Sequence, residues 1–415
     1  MAKRATSKRV DAPSQDAPST AAGMGPAREA GVVALDHVLG QSGAIAHLQA
    51  AIRAGRLHHA WLFHGPEGVG KFTAAMAFAA VILDPSSAPG LDGTIRPDPD
   101  SQVQQLIRRG AHPDLHVINK ALAEFSNDKR IRDARHVTIA KDVIDQRLIK
   151  PASLAPMIQT SALAAKVFII DEAELLDRST THAPTQNALL KTLEEPSERT
   201  VIILVTSSED RLLATIRSRC TRVAFLPLDE ASMRAWMARA DVVGGSDGGF
   251  AGSSGGSGGI APEQLPWLLE YAQGSPGRLL GAIRDELPKW GALLAPMVDA
   301  ASKGSLPISM GATMAGMCEA WAKAQVDAAD HASKESANRV AADLLFRVLG
   351  TQLRTMLRAA AGAGEHDRCE RIASAIDAVR QCETYIDSNV QASFSMDWLA
   401  GELASAFAGT RFARA

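Results

Sequence analysis

The run Gly65-Pro66-Glu67-Gly68-Val69-Gly70-Lys71 constrains this chain more than any other stretch of it. It follows a short β-prone segment, Ala60 to His64, and precedes the uninterrupted apolar stretch Ala74 to Leu83. Strand, glycine loop and helix in that order form the context of a phosphate-binding loop. Gly65, Gly68 and Gly70 let backbone N–H groups converge on phosphate oxygens at a helix N-terminus, and Lys71 supplies positive charge toward the β- and γ-phosphates. The next position, where a Ser or Thr hydroxyl would hold Mg²⁺, is Phe72, which has no oxygen to offer. Thr73 follows as a candidate contact, one residue further round the helix. The expectation is weak or absent binding of ATP or ADP with Mg²⁺ and no efficient hydrolysis. The alternative is a relic loop that only shapes the turn.

A second apolar run, Val167 to Ile170, ends in Asp171-Glu172-Ala173-Glu174. In phosphoryl-transfer sites the first acid of such a pair anchors Mg²⁺ and the second polarises the attacking water. Strands ending in acids are common, but Asp171 lies 100 residues after Lys71, and that pairing carries weight. A third apolar run ends in Thr206-Ser207, where a polar side chain can report the γ-phosphate. Beyond it stands Ser218-Arg219-Cys220. An arginine at a domain rim either reaches a neighbour's nucleotide or is a solvated charge, and Cys220 reads as a small packing residue.

At about 150 residues per domain, 415 residues imply two or three domains. From Val38 to Ile203, short β-rich runs alternate with helical stretches, the pattern of an α/β core with a parallel sheet. Strands are expected at Ala60 to His64, Leu115 to Asn119, Val167 to Asp171 and Val201 to Thr206. After Pro227 the pattern turns helical, with Asp229 placed to cap a helix through Met233, Trp236 and Met237. The expected division is a disordered basic tail over 1–34, a core over 35–227, a helical lid over 228–289 and an all-α collar over 290–415. A run with nine glycines and four serines, 244–259, interrupts the lid. In the collar, Val340, Leu344, Val348, Leu353, Met356 and Leu357 are expected on one face, and Ile372, Ile376 and Val379 on another.

Charge excludes some functions. Lys and Arg total 44 against 46 Asp and Glu, so any nucleic-acid contact has to be local. The longest apolar run falls far short of the roughly 20 residues of a membrane helix, so no membrane partner is expected. Four scattered cysteines offer neither a disulfide framework nor a zinc pair, and a reducing cytoplasm fits them best. The His58-His59 pair and His112 lack partner ligands at metal spacing, so no metal site is expected.

Taken together, these residues resemble the clamp-loader branch of the AAA+ ATPases, and within it the delta-prime type of DNA polymerase III subunit. The resemblance rests on Leu39-Gly40-Gln41, on Gly55 to Phe63, on Gly110-Ala111-His112-Pro113-Asp114, and most specifically on Asn187 to Pro196 followed by Ile216 to Cys220. Gly274-Ser275-Pro276-Gly277-Arg278 is similar to the family's sensor 2 segment, and Tyr385 to Leu399 to the end of its collar. It implies an AAA+ P-loop core, a small lid and an oligomerising collar. It implies as partners gamma/tau-type motor subunits, a delta-type subunit, a sliding clamp and primer-template DNA. Arg219 would act as a finger in trans, Asp171 and Glu172 as weak or degenerate catalytic acids, and Gly65, Gly68, Gly70, Lys71, Thr73, Thr206 and Arg278 as nucleotide contacts. The family's motor subunits carry a four-cysteine zinc module between loop and acids, whereas residues 84–166 contain no cysteine, so no zinc is expected. An ATP-hydrolysing gamma/tau-type motor of the same loader is the alternative. A helicase-type homohexamer calls for a basic, aromatic-bearing element that is not found after Trp290. Polymerase activity would belong to the holoenzyme, since nothing here resembles a polymerase active site.

Overall fold

The computed structural model describes residues 34–126, 128, 138–158, 162–177, 181–239, 262–305, 308–328, 334–388 and 390–409. The expected tail up to residue 33 and the whole Gly/Ser run 244–259 lie outside the described residues.

Strands β1 (Ala60–His64), β2 (Leu115–Ile118), β3 (Lys166–Ile170), β4 (Thr200–Thr206) and β5 (Thr221–Ala224) form one parallel sheet in the order β2-β3-β4-β1-β5. The long apolar runs become its interior strands because parallel sheets are covered on both faces, and every residue of β3 and β4 is buried. Alternate residues serve the two faces. Trp61, Phe63, Val167, Ile169, Ile203 and Val205 join a cluster with helices α1 (Ser42–Arg53) and α2 (Lys71–Leu83). Leu62, Phe168, Ile170, Ile202 and Leu204 join the opposite cluster with α4 (Pro184–Glu194), which follows the short α3 (Gln102–Arg108). The four expected strands are present within a residue of their expected bounds. The edge strand β5 is an addition to them, since only Val223 of its four residues is buried and no apolar run marks it.

Helix α5 (Glu230–Arg239) begins as expected, with Asp229 Oδ1 accepting the Ser232 N–H at 2.7 Å, and buries Met233 and Met237 against the core. Helices α6 (Leu265–Ala272) and α7 (Pro276–Arg284) face two ways. Ala272 and Leu279 pack on the α/β core, whereas Leu268, Tyr271 and Ala282 pack on the C-terminal helices. Those are α8 (Leu287–Ser302), α9 (Met310–Ala328), α10 (Lys334–Gly362), α11 (His366–Asp387) and α12 (Ala392–Ala408), which share one apolar cluster. Val348, Leu353, Ile372 and Val379 lie inside it as expected. Val340 does not, being 42% exposed, because the buried face of α10 there is carried by Ala337, Ala341 and Ala342. Among the described residues no helix is long and apolar enough to cross a membrane.

Candidate functional site

The two edges of a parallel sheet differ chemically, and the candidate residues divide between them. At the C-terminal edge, Gly65 (φ 141°) and Gly68 (φ 75°) turn the chain out of β1, and Gly70 (φ 99°) delivers it into α2. No side chain with a Cβ adopts these angles readily. Lys71, the first residue of α2, does not project from the loop. Its Nζ donates to the Gly65 carbonyl at 2.7 Å and to the Pro66 carbonyl at 2.5 Å. Burial pulls its pKa down to about 8, against the opposing pull of Glu174, Asp171 and Glu67. Phe72 packs on the core cluster, while Thr73 is exposed.

The acids sit where the sheet order puts them. Asp171 follows β3, with its N–H donated to the Ile118 carbonyl at 2.9 Å. Glu172 has a left-handed backbone (φ 52°), and its carboxylate pairs with Lys120 at 3.2 Å. Glu174 is brought back by the 3₁₀ turn Ala173–Leu175, accepts from the Ser207 N–H and Oγ, and leaves its buried Oε2 without a hydrogen-bond partner. It is also the acid whose charge acts most strongly on Lys71. The sequence pattern favours Glu172 instead, because the turn that directs Glu174 toward the loop has no periodic signature. Thr206 ends β4 between β1 and β3, is buried beside His64 in register, and accepts the Ser208 N–H at 3.1 Å.

Helix α7 closes over the loop. The Gly277 N–H donates to the Gly68 carbonyl at 2.9 Å, and Ser275 Oγ donates to the Glu67 carbonyl at 2.7 Å. A Cβ on Gly68 would stand 2.5 Å from Ser275 Oγ, and one on Gly277 would stand 2.7 Å from Gly68 Cα, so a side chain at either position would push α7 off the loop. Arg347 of α10 reaches the Glu67 carboxylate at 2.9 Å, and α10 is also tied to α6 by Arg358 and Glu270 at 2.6 Å. Arg278, half-buried beside this contact, has an Nε with no hydrogen-bond partner, and burial together with the Arg347 charge lowers its pKa. With Lys71 held by loop carbonyls, Phe72 offering no oxygen and α7 seated on Gly68, these residues do not fit a Mg²⁺-bound nucleotide.

Arg219 stands at the other edge, two residues before β5 begins, in the same rim as His58 and His59 before β1. The five residues of β1 separate the two edges by about 13 Å at 3.3 Å per step. Its Nη1 donates to the Thr215 carbonyl at 2.9 Å and its Nη2 lies 2.6 Å from Glu194 Oε1. The segment that presents it is braced from α4. Gln186, wholly buried, donates to the Arg211 carbonyl at 3.0 Å and accepts the Leu213 N–H at 2.7 Å. Burial pushes the Cys220 thiol up to about 12, which suits a packing residue. His59 Nε2 lies 2.8 Å from the Leu193 carbonyl and His112 is buried, and no group of metal-ligating side chains occurs among the described residues.

Residues 40–229 match the family model described as "DNA polymerase III, delta subunit". The DNA polymerase III subunit delta' of Pseudomonas aeruginosa is 36% identical over 185 residues, 44% of this chain and 47% of that one. Over this core the chain is similar to subunits of DNA polymerase III. The Bacillus subtilis subunit delta' is 30% identical, covering 47% of this chain and 50% of that one. The Haemophilus influenzae subunit tau/gamma is 32% identical, covering 47% and 24%. The chain thus spans about half the length, or less, of these relatives. A Thermotoga maritima RuvB mutant superposes over 79% of this chain and 78% of that one with a TM-score of 0.36 at 16% identity, too loose a fit to argue from.

Proposed function

We propose that the chain is a delta-prime-type subunit of the DNA polymerase III clamp loader, one that supplies Arg219 to an adjacent ATPase subunit and does not itself turn over ATP. The observation that carries this reading is the division of the sheet. Arg219 and the glycine loop occupy opposite edges, so the arginine is out of reach of its own chain's loop, which supports a role toward a neighbour. A guanidinium gives two parallel N–H donors to phosphoryl oxygens and stabilises charge that develops during transfer. The closed contact of α7 on Gly68 and the absence of an oxygen at Phe72 support a silent loop of its own. Partners on this reading are gamma/tau-type motor subunits, a delta-type subunit, the sliding clamp and primer-template DNA, with the cytoplasm as the compartment.

Two observations favour the motor reading. Tau/gamma relatives match over a similar length at similar identity, and Asp171 and Glu174 both stand near Lys71. Steady-state ATPase of the loader reconstituted with its motor subunit, clamp and primed DNA separates the two. Arg219→Ala should cut turnover heavily, in the direction of the roughly 10³- to 10⁵-fold effects of arginine fingers elsewhere, diluted by any sites served by other subunits. Lys71→Ala should be nearly silent. A large loss with Lys71→Ala would make the chain a motor, and an unaffected Arg219→Ala would remove the finger.

A further inference from the structure

Arg219 is already engaged. One side of its guanidinium is held by the Glu194 carboxylate at 2.6 Å and another by the Thr215 carbonyl at 2.9 Å. Glu194 is the last residue of α4, where the helix dipole disfavours a negative charge, so the helix itself gains nothing from a carboxylate there. The pair lines an open surface cavity of about 360 Å³ together with His58, His59, Ser218 and Cys220. Carboxylate and phosphoryl oxygens accept the same N–H donors from a guanidinium. Glu194 therefore occupies the place at Arg219 that a phosphoryl oxygen would take.

We propose that Glu194 is a positioning residue that parks Arg219 over this cavity until a neighbour presents a phosphoryl group there. The inference rests on the finger reading above. Arg219 is 36% exposed and Glu194 48% exposed, so the pair is partly screened by solvent and its hold is weak. Glu194→Gln keeps the shape and removes the competing charge, which raises the fraction of Arg219 free to engage. Once ATP is bound Arg219 is engaged in either variant, so the cost of releasing it from Glu194 is met on binding and the gain falls on KM and not on kcat.

In the reconstituted loader, Glu194→Gln is expected to lower the KM for ATP about two- to five-fold at low salt with kcat unchanged. The ratio to wild type should approach one in about 0.5 M salt, where exposed charges are screened. In an Arg219→Ala background Glu194→Gln should do nothing. If Arg219→Ala alone is silent, the finger reading fails and the parking role with it. If Arg219→Ala impairs turnover yet Glu194→Gln leaves KM unchanged, or changes it equally at high salt or without Arg219, the finger stands and the parking role is refuted. A fall in kcat with KM unchanged also refutes it, because the carboxylate would then assist the transition state.

Discussion

Two glycines of α7 test whether the glycine loop is closed by that helix. Gly277 is the second residue of α7, and its φ lies outside the left-handed region, so alanine meets no backbone penalty there. Its Cβ would fall 2.7 Å from Gly68 Cα, and reaching the 3.4 Å of ordinary contact needs α7 to retreat by about 0.7 Å. That retreat strains the Gly277 N–H to Gly68 carbonyl bond and the Ser275 Oγ to Glu67 carbonyl bond, each worth about 1 kcal/mol net. Helix propensity returns up to about 1 kcal/mol, leaving a local loss of about 1 kcal/mol. Gly281, four residues on in the same helix, has nothing within 4 Å of its would-be Cβ. Alanine there should stabilise by about 0.5–1 kcal/mol. The two variants should therefore differ by about 2 kcal/mol, some 30-fold in local opening. Because the chain has several apolar clusters, amide hydrogen exchange of residues 66–71 and 275–279 is a better readout than a global midpoint. Gly277→Ala should speed exchange in both segments and Gly281→Ala should not. If both variants move exchange in the same direction, α7 is not seated on Gly68.

Lys71 titrates near 8 in the folded chain and near 10.5 unfolded, so the unfolded chain binds the extra proton between those values and native stability rises with pH across that window. Lys71→Met lacks this dependence, and its stability relative to wild type should decline from pH 8 to 10; a constant difference in chemical denaturation would count against it. Burial pushes His116, stacked on Phe168 at 4.6 Å, down to about 4 from 6.5. The unfolded chain then protonates first, stability falls as pH drops from 6.5 toward 4, and His116→Phe should flatten that fall in acid-denaturation curves. Gln186→Ala removes the partner of two part-buried backbone groups and should cost about 1–2 kcal/mol, with faster exchange over 211–217; unchanged exchange there would show that Gln186 does not brace the arginine segment. Cys220, with its thiol pushed up to about 12, should alkylate slowly at pH 8 in the native protein and faster once unfolded, and equal rates would contradict the raised thiol.

What the sequence discloses follows from locality. The four apolar strands, the glycine turns and the Asp229 cap are each specified within about ten residues, and each appears where the pattern puts it. Strand β5 escapes because an edge strand needs only Val223 inside. Glu174 escapes because a 3₁₀ turn, not a period, aims it. The contact of Glu67 with Arg347 joins residues 280 apart, and that of Ser275 with Glu67 joins residues 208 apart, so neither leaves any local trace. Glu194 stands inside the segment most specific to the family resemblance, yet only the folded chain sets its carboxylate against Arg219.

The geometry also explains how one chain can carry a glycine loop unsuited to metal and an arginine held ready. A phosphate loop belongs at the C-terminal edge of a parallel sheet, because only there does a strand run into a helix N-terminus whose free N–H groups face outward. Arg219 precedes its strand and so lies at the opposite edge, braced from α4 through Gln186 and not from the loop. Nothing in the arginine's support passes through Lys71 or Phe72. Substitutions in the loop should therefore leave the arginine segment intact, while the loop itself is held by contacts from α7 and α10. Those contacts fix the core against the helices that follow it.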